Sequence, residues 1–402
     1  MSLTNHSRSV LAGYDPPRLF AARVLVAGLG ALGQNVLQSL ALSGVGSFLL
    51  IDCDGFEDHN ATRSPFFPHP TERALFAGRK APIVAHRAAA IATAPEPAIL
   101  FCDDTVQRVG DAAIRWADVV VSAVDSLTTR AWLTERARLY GKPLVEGGFG
   151  GSEFNFSAFS GAPDEVCYRC FHPGRESSAS CTQYAREAER NQIIPAIQAT
   201  AAVLGGYLAE QVISILHGKT AAYGLRFFGD VRRPALEKSS IQLNPECPGE
   251  HVPLPVREVL PVRPAGRRLA HVLDDLREHV PSGWVAFAEP VVISQTCTNC
   301  GAMCRVRAPE SSWLLDPRCA RCGGSWPTTD ESAPSLVSMI ELAADLDPNT
   351  ADLDAAELGL SPGGGIVVYP EDGSPFLAEI PGQFTGGWSR VPDTDVAAPK
   401  PA

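Results

Sequence analysis

Three side chains set the first question. Arg63 and Lys80 lie past the apolar run "SFLLIDCD", and Asp125 ends the run "VVSAVDS". Together with Asn60 they offer two cations, a polar donor and a lone carboxylate at the ends of buried strands. Open α/β sheets put their ligands at such ends. This set fits the task of holding a triphosphate, neutralising charge that builds at a phosphorus and anchoring Mg²⁺. Plainer roles exist for each: Arg63 and Lys80 as surface cations, Asn60 and Asp125 as helix caps.

Upstream lies "VLVAGLGALGQNVLQSLALSGVGSFLLIDCDGFEDHN", starting at residue 24. An apolar run meets Gly28, Gly30 and Gly33, a helical segment follows, and a second apolar run leads to Asp52 and Asp54. This is a dinucleotide fingerprint: a tight turn, a close backbone approach to phosphate, and an acid about 20 residues on for a ribose hydroxyl. NAD and ATP both suit such a motif. Hydride transfer does not need cations gathered on a triphosphate, so Asn60, Arg63, Lys80 and Asp125 favour ATP.

The elements that position these residues are legible as alternation. From Arg23 to about Gly151, the runs "VLVAGLG", "SFLLIDCD", "AILFCDD", "ADVVVSAVDS" and "KPLVEGGFG" alternate with helical segments. That pattern predicts a Rossmann-like, mostly parallel α/β sheet with helices on both faces. "SEFNFSAFS" then reads as an antiparallel strand, and 173–190 as a loop or mobile crossover. "IIPAIQATAAVLGGYLAEQVISILHG" reads as one long buried helix. The expected organisation is an ATP-binding domain over 1–252, a proline-rich linker over 253–268, a C-terminal zinc-ribbon and acidic module over 269–390, and a disordered tail over 391–402. Within the module, "GGIVVYPEDGSPFLAEI" predicts a hairpin turning at Asp372-Gly373.

Cysteine spacing adds metal chemistry. The pairs Cys297/Cys300 and Cys319/Cys322 form two knuckles, each followed by glycine. Their spacing suits a closed four-thiolate Zn²⁺ site that staples a small unit. Cys304 is a fifth thiol in the same unit, either inert or a ligand in another register.

Composition narrows the class. The 402 residues carry a net charge of −11, 45% hydrophobic residues and 11 cysteines. Thirteen acids against two bases fall after residue 326, while the remainder balances at 32 each. No basic surface for nucleic acid is expected. Nor does any apolar run read as a membrane span, and the N-terminus lacks the layout of a secretion signal, so a cytoplasmic location is expected.

Taken in order, "GLGALG", "LIDCD", "DHNATR", "GRKA", "SAVDSLTTR", "CYRC" and "LAEQVISILHG" resemble the ubiquitin-activating-enzyme-like superfamily over residues from about 8 to 252. Sulfur-carrier adenylyltransferases belong to that superfamily. The resemblance implies adenylation of the C-terminal glycine carboxylate of a ubiquitin-like or sulfur-carrier protein. It implies Asp52 on ribose, Asn60, Arg63 and Lys80 on phosphates, and Asp125 on Mg²⁺. It also implies Zn²⁺ at Cys167/Cys170, where the second half here is Cys247 and His251. It implies a homodimer that can lend an N-terminal arginine, for which Arg8 is a poor match, and a conjugating enzyme as a further partner. Finally it implies an acyl-accepting cysteine in the crossover, met here by Cys181 between Arg175 and Arg186. Arg63 is followed by Ser-Pro-Phe-Phe rather than the usual glutamine, which puts the local loop geometry in question. Four fates of the adenylate follow: thioester for conjugation, which the appended ribbon favours as a recruitment module; thiocarboxylate formation; peptide modification; or an inactive scaffold.

Overall fold

Short, nearly continuous apolar runs build a sheet covered on both sides. The computed structural model describes residues 6–172, 195–219, 221–233, 235–247, 249, 251, 254–259, 268–310, 313, 318–324, 334–344, 348–355, 358, 360, 364–380 and 388–391. The strands are β1 (Arg23–Ala27), β2 (Ser47–Ile51), β3 (Ala98–Cys102), β4 (Val119–Ser122), β5 (Leu144–Gly150), β6 (Glu153–Phe159), β7 (Leu225–Asp230) and β8 (Ala235–Ser240). Later strands are β9 (Val256–Val259), β10 (Gly283–Thr296), β11 (Met303–Pro309), β12 (Ser335–Glu341), β13 (Gly365–Pro370), β14 (Phe376–Glu379) and β15 (Ser389–Arg390).

The helices, in chain order, are α1 (Ser7–Leu11), α2 (Pro16–Ala21), α3 (Ala31–Ser43), α4 (Pro70–Leu75), α5 (Lys80–Ile91) and α6 (Val106–Val109). They continue with α7 (Asp111–Trp116), α8 (Leu127–Leu139), α9 (Tyr168–Phe171), α10 (Gln198–Leu216), α11 (Leu269–Arg277) and α12 (Pro348–Ala351).

Strands β3-β2-β1-β4-β5 run in parallel, and β6, β7 and β8 continue the sheet antiparallel. Val24 and Val26 face one side of β1, with Phe48 and Leu50, against Leu32 and Val36 of α3, Ile83 of α5 and Leu204 of α10. Leu25 and Ala27 face the other side, with Leu49 and Ile51, against Val106, Ile114, Trp132 and Tyr168 of α6 to α9. Both faces are therefore apolar, as a covered parallel sheet requires. α3 stops at Gly44, whose φ of +96° suits glycine and whose N–H returns to the Ala41 carbonyl at 3.3 Å.

α10 departs from the expected single buried helix. It begins at Gln198, because Pro195 and Ala196 lie alongside Gly151, whose N–H donates to the Pro195 carbonyl at 2.8 Å. Its 19 residues are long and apolar enough to cross a membrane by length and composition. One stripe (Leu204, Leu208, Val212) is fully buried in the sheet core, while Val203 and Tyr207 are exposed.

The C-terminal residues form a second sheet, ordered β11-β10-β13-β14-β9 with β12 also on β10. α11 buries Leu269, Val272, Leu273 and Leu276 against Val285, Ile366 and Val368. The expected hairpin is β13–β14, with Gly373 at φ +135°. Inside the segment expected to be a linker, Val256–Val259 is β9, paired in parallel with β14. Proline beside an edge strand costs no ladder bond there. The end of the module likewise returns to the first domain: β15 pairs with β3, and the Val391 N–H donates to Ile99 at 3.0 Å. The expected tail boundary at 391 thus falls inside a paired segment, and 392–402 lie outside the described residues.

A polar joint ties the module down. Buried Asp111 accepts from Arg136 Nε at 2.7 Å, from the Tyr140 hydroxyl at 2.7 Å and from the Gly365 N–H at 3.3 Å. Arg136 Nη2 also donates to the Gly365 carbonyl at 3.2 Å.

Candidate nucleotide cleft and metal centres

In the order β2-β1-β4 the chain changes direction at β1, a topological switch point, and open α/β sheets bind ligands beyond the strand ends at such a point. The glycine turn leaves β1 there. Gly28 sits at φ +88°, and a Cβ on it would lie 2.7 Å from the Ala123 carbonyl. A Cβ at Gly33 would lie 1.9 Å from the Gly28 carbonyl, so glycine alone lets α3 approach β1 this closely. Gly30 caps α3, and a Cβ there would meet nothing within 4 Å. That open space lies at the N-terminus of α3, the end of a helix that suits an anion.

Asp52 follows β2 and accepts from the Leu29 N–H at 2.6 Å and the Asp54 N–H at 2.8 Å. Burial pushes its pKa up, opposed by the Lys80 charge and these two backbone donors. Lys80 opens α5 and pairs with Asp54 at 3.0 Å. Cys53 lies between the two acids; burial first, then Asp54 and Asp52, raise its thiol pKa to about 12.

Asn60 is buried in a 3₁₀ turn (Asp58–Thr62) and accepts from the Glu57 N–H at 3.1 Å. Its carbonyl oxygen therefore does serve as a cap. Arg63 follows that turn, and among the described residues it has no carboxylate partner. Its neighbours differ: Arg73 pairs with Asp58, Arg79 with Asp103 and Arg87 with Glu72. Asp125 is exposed beyond β4, and the cap of α8 is Ser126, which accepts from Thr129 N–H at 3.3 Å. The capping alternative thus fails for Asp125. Cys181 lies outside the described residues.

Two supporting groups were not foreseen. Gln34, fully buried in α3, donates to the Leu29 carbonyl at 2.7 Å and accepts from Phe66 N–H at 2.9 Å, pinning the loop after Arg63 to the glycine turn. Arg79 bridges Asp103 at 2.7 Å and the Cys53 carbonyl, joining the ends of β2 and β3. A glutamine among apolar helix residues was the available signal for the first. The pairing of Arg79 with Asp103, 24 residues away, left none.

Both predicted thiol clusters assemble. Cys167, Cys170, Cys247 and His251 gather their ligand atoms within 4.8 Å of one another, as do Cys297, Cys300, Cys319 and Cys322. Sulfur separations are 3.9 Å (Cys167–Cys170), 3.7 Å (Cys167–Cys247), 3.7 Å (Cys297–Cys322) and 3.8 Å (Cys300–Cys319). A tetrahedron with Zn–S of about 2.3 Å has edges of about 3.8 Å, so both donor sets fit zinc. Each offers four protein ligands and no open position, the mark of a structural site. Cys304 lies 3.6 Å from Cys319, outside the tetrad.

Residues 10–249 match the ThiF family. The chain belongs to the ThiF family. Two relatives align over most of their own length. The SAMP-activating enzyme E1 of Haloferax volcanii is 28% identical over 261 residues, 61% of this chain and 88% of the relative. The sulfur carrier protein adenylyltransferase of Thermus thermophilus is 29% identical over 262 residues, 60% of this chain and 88% of the relative. This ThiF-family chain is accordingly an enzyme of the adenylyltransferase class. The crystal structure of E. coli MccB with MccA-N7isoASN shares the fold, with a TM-score of 0.50 and 17% identity over 61% of this chain and 74% of that one. The family match ends at residue 249, before the C-terminal module.

Proposed function

We propose that this chain uses ATP and Mg²⁺ to adenylate the C-terminal glycine of a ubiquitin-like or sulfur-carrier protein. The observation that carries the reading is the switch point at β1: the glycine turn is open at Gly30, Asp125 is exposed past the end of β4, and Arg63 has no carboxylate partner among the described residues. In this reading the α3 N-terminus and Asn60 receive phosphate oxygens, Asp52 the ribose, and Asp125 and Asp54 the metal side. Mg²⁺, when bound, supplies charge to the phosphates. Arg63 and Lys80 stabilise negative charge that grows on the α-phosphoryl oxygens as the glycine carboxylate attacks and pyrophosphate leaves. Lys80 stands ready through its bond to Asp54, and Gln34 and Arg79 hold the loops that carry these groups. The carboxylate needs no base, being ionised at neutral pH.

The acyl group then passes from the adenylate to the Cys181 thiolate as a thioester, with AMP leaving, and feeds a conjugation pathway. The appended ribbon module is the recruiting surface for a modifier or conjugating enzyme. A second reading, thiocarboxylate formation, is favoured equally by the sulfur-carrier relative. Both place the enzyme in the cytoplasm as a homodimer. The test that separates them is a non-reducing gel after incubation with ATP, Mg²⁺ and a carrier ending in glycine. A thiol-sensitive band that vanishes in Cys181→Ala supports conjugation. An AMP-modified carrier with no such band supports sulfur transfer.

A further inference from the structure

A buried polar row crosses the sheet beside the cleft. Register places Ser122 opposite Glu146, Glu146 opposite Ser157, and Ser157 opposite Arg226. Residues opposite one another share a face, so the row spans β4 to β7. Arg130 of α8 reaches down to pair with Glu146 at 2.7 Å. Ser122, Glu146 and Ser157 are at most 1% exposed, and Arg130 is 9% exposed. Ser122 Oγ, Ser157 Oγ, Glu146 Oε1 and Arg130 Nε have no hydrogen-bond partner among the described residues. A Cβ at Gly148 would lie 3.1 Å from Arg130 Nη2, so the guanidinium rests against backbone there.

An ion pair at this depth is not explained by stability, because apolar residues of equal volume would hold the helix as well or better. Its placement supplies another reason. Asp125 precedes the Ser126 cap, its side chain is exposed, and no described group holds its carboxylate. Its position is therefore set by the backbone around it. Ala123 N–H donates to Ala27 at 2.8 Å, and Arg130 N–H to Ser126 at 3.1 Å. The Arg130 side chain fastens that same first helical turn to β5.

We propose that Arg130 and Glu146 are positioning residues that aim Asp125 at the metal of the bound nucleotide. This rests on the ATP reading above. The planar guanidinium, bonded to Glu146 through Nη1 and resting against the Gly148 backbone, holds the α8 turn at a set distance from β5, a placement that a lysine's point charge does not reproduce. Groups that orient a metal-binding carboxylate typically change metal affinity by about 10–100-fold when altered.

The experiment is calorimetric titration of ATP into the full chain across a range of Mg²⁺ concentrations. The proteins are wild type, Asp125→Asn, Arg130→Lys, Glu146→Gln and the Arg130→Lys/Asp125→Asn double variant, each checked for folding by thermal melting. Arg130→Lys is expected to raise the half-saturating Mg²⁺ concentration about tenfold, and to add nothing in the Asp125→Asn background, since the two act through one group. Should Arg130→Lys not fold, Glu146→Gln, which keeps shape and a hydrogen-bond acceptor, carries the same expectation. A folded variant with the wild-type Mg²⁺ requirement overturns the proposal, as does a shift of equal size with Asp125 already replaced. Wild-type protein that binds no ATP at any Mg²⁺ concentration overturns the nucleotide reading as well.

Discussion

Alanine at Gly30 and alanine at Gly33 should fail in opposite ways. At Gly33 the new methyl would lie 1.9 Å from the Gly28 carbonyl, where ordinary contact begins at 3.4 Å, so α3 must retreat by about 1.5 Å (3.4 − 1.9). The obstacle is backbone, and overpacking of this kind costs about 1–3 kcal/mol. α3 packs on α10 and on β1, so the displacement is carried into the core. A domain of this size loses about 2–4 °C of melting temperature per kcal/mol. Gly30 has φ −69° and ψ −164°, which alanine adopts freely, and no atom within 4 Å of the added methyl. Gly30→Ala should therefore melt at or above the wild-type temperature, since alanine narrows the unfolded ensemble by about 0.4–1 kcal/mol. Its methyl nevertheless occupies the space a pyrophosphate needs, and ATP affinity should fall at least about tenfold, equivalent to about 1.4 kcal/mol. Thermal melting paired with ATP titration reads both quantities. Gly30→Ala that binds ATP like wild type, or that destabilises as much as Gly33→Ala, would refute the reasoning.

Other expectations concern the metals, the joint and the cleft thiol. Metal analysis of protein purified without chelator should find two zinc ions per chain, and Cys319→Ser should remove one and loosen the C-terminal module without altering ATP binding; a zinc-free wild-type chain contradicts the ligand geometry. Asp111→Ala strands the buried Arg136 charge at the joint and should destabilise the chain by about 3–5 kcal/mol in chemical denaturation. Burial holds the Cys53 thiol near pKa 12, so it should resist alkylation at pH 8 and react only as the solution becomes strongly alkaline. Because that folded value lies above the unfolded one, this thiol favours the fold below about pH 9 and loses that contribution as pH rises toward 12; rapid labelling of Cys53 at pH 8 would contradict its burial.

The parallel core was legible because its strands are buried on both faces, so Val24–Ala27 and Phe48–Ile51 appear as unbroken apolar runs. The glycine turn was legible because Gly28 and Gly33 answer local steric demands, while Gly30 leaves open space at the start of α3. Pairing between distant segments was not. β9 lies in a proline-rich stretch and becomes a strand through β14, about 120 residues on, while β15 takes its conformation from β3. The Cys167–His251 site was readable in part, since its first half has the Cys-x-x-Cys spacing and its second half is one cysteine and one histidine. The Arg130–Glu146 pair was half visible, since Glu146 is an acid inside a run read as a buried strand, but nothing in the sequence names Arg130 as its partner.

The most direct measurement is ATP–pyrophosphate exchange by the purified full chain with a ubiquitin-like protein ending in glycine. The control is the same protein carrying one extra residue after that glycine. The account predicts exchange that requires Mg²⁺ and the free glycine terminus, and that falls about a hundredfold in Arg63→Ala, the loss of one contact worth about 3 kcal/mol to the developing charge. Exchange at the wild-type rate in Arg63→Ala, or exchange indifferent to the blocked terminus, would contradict it.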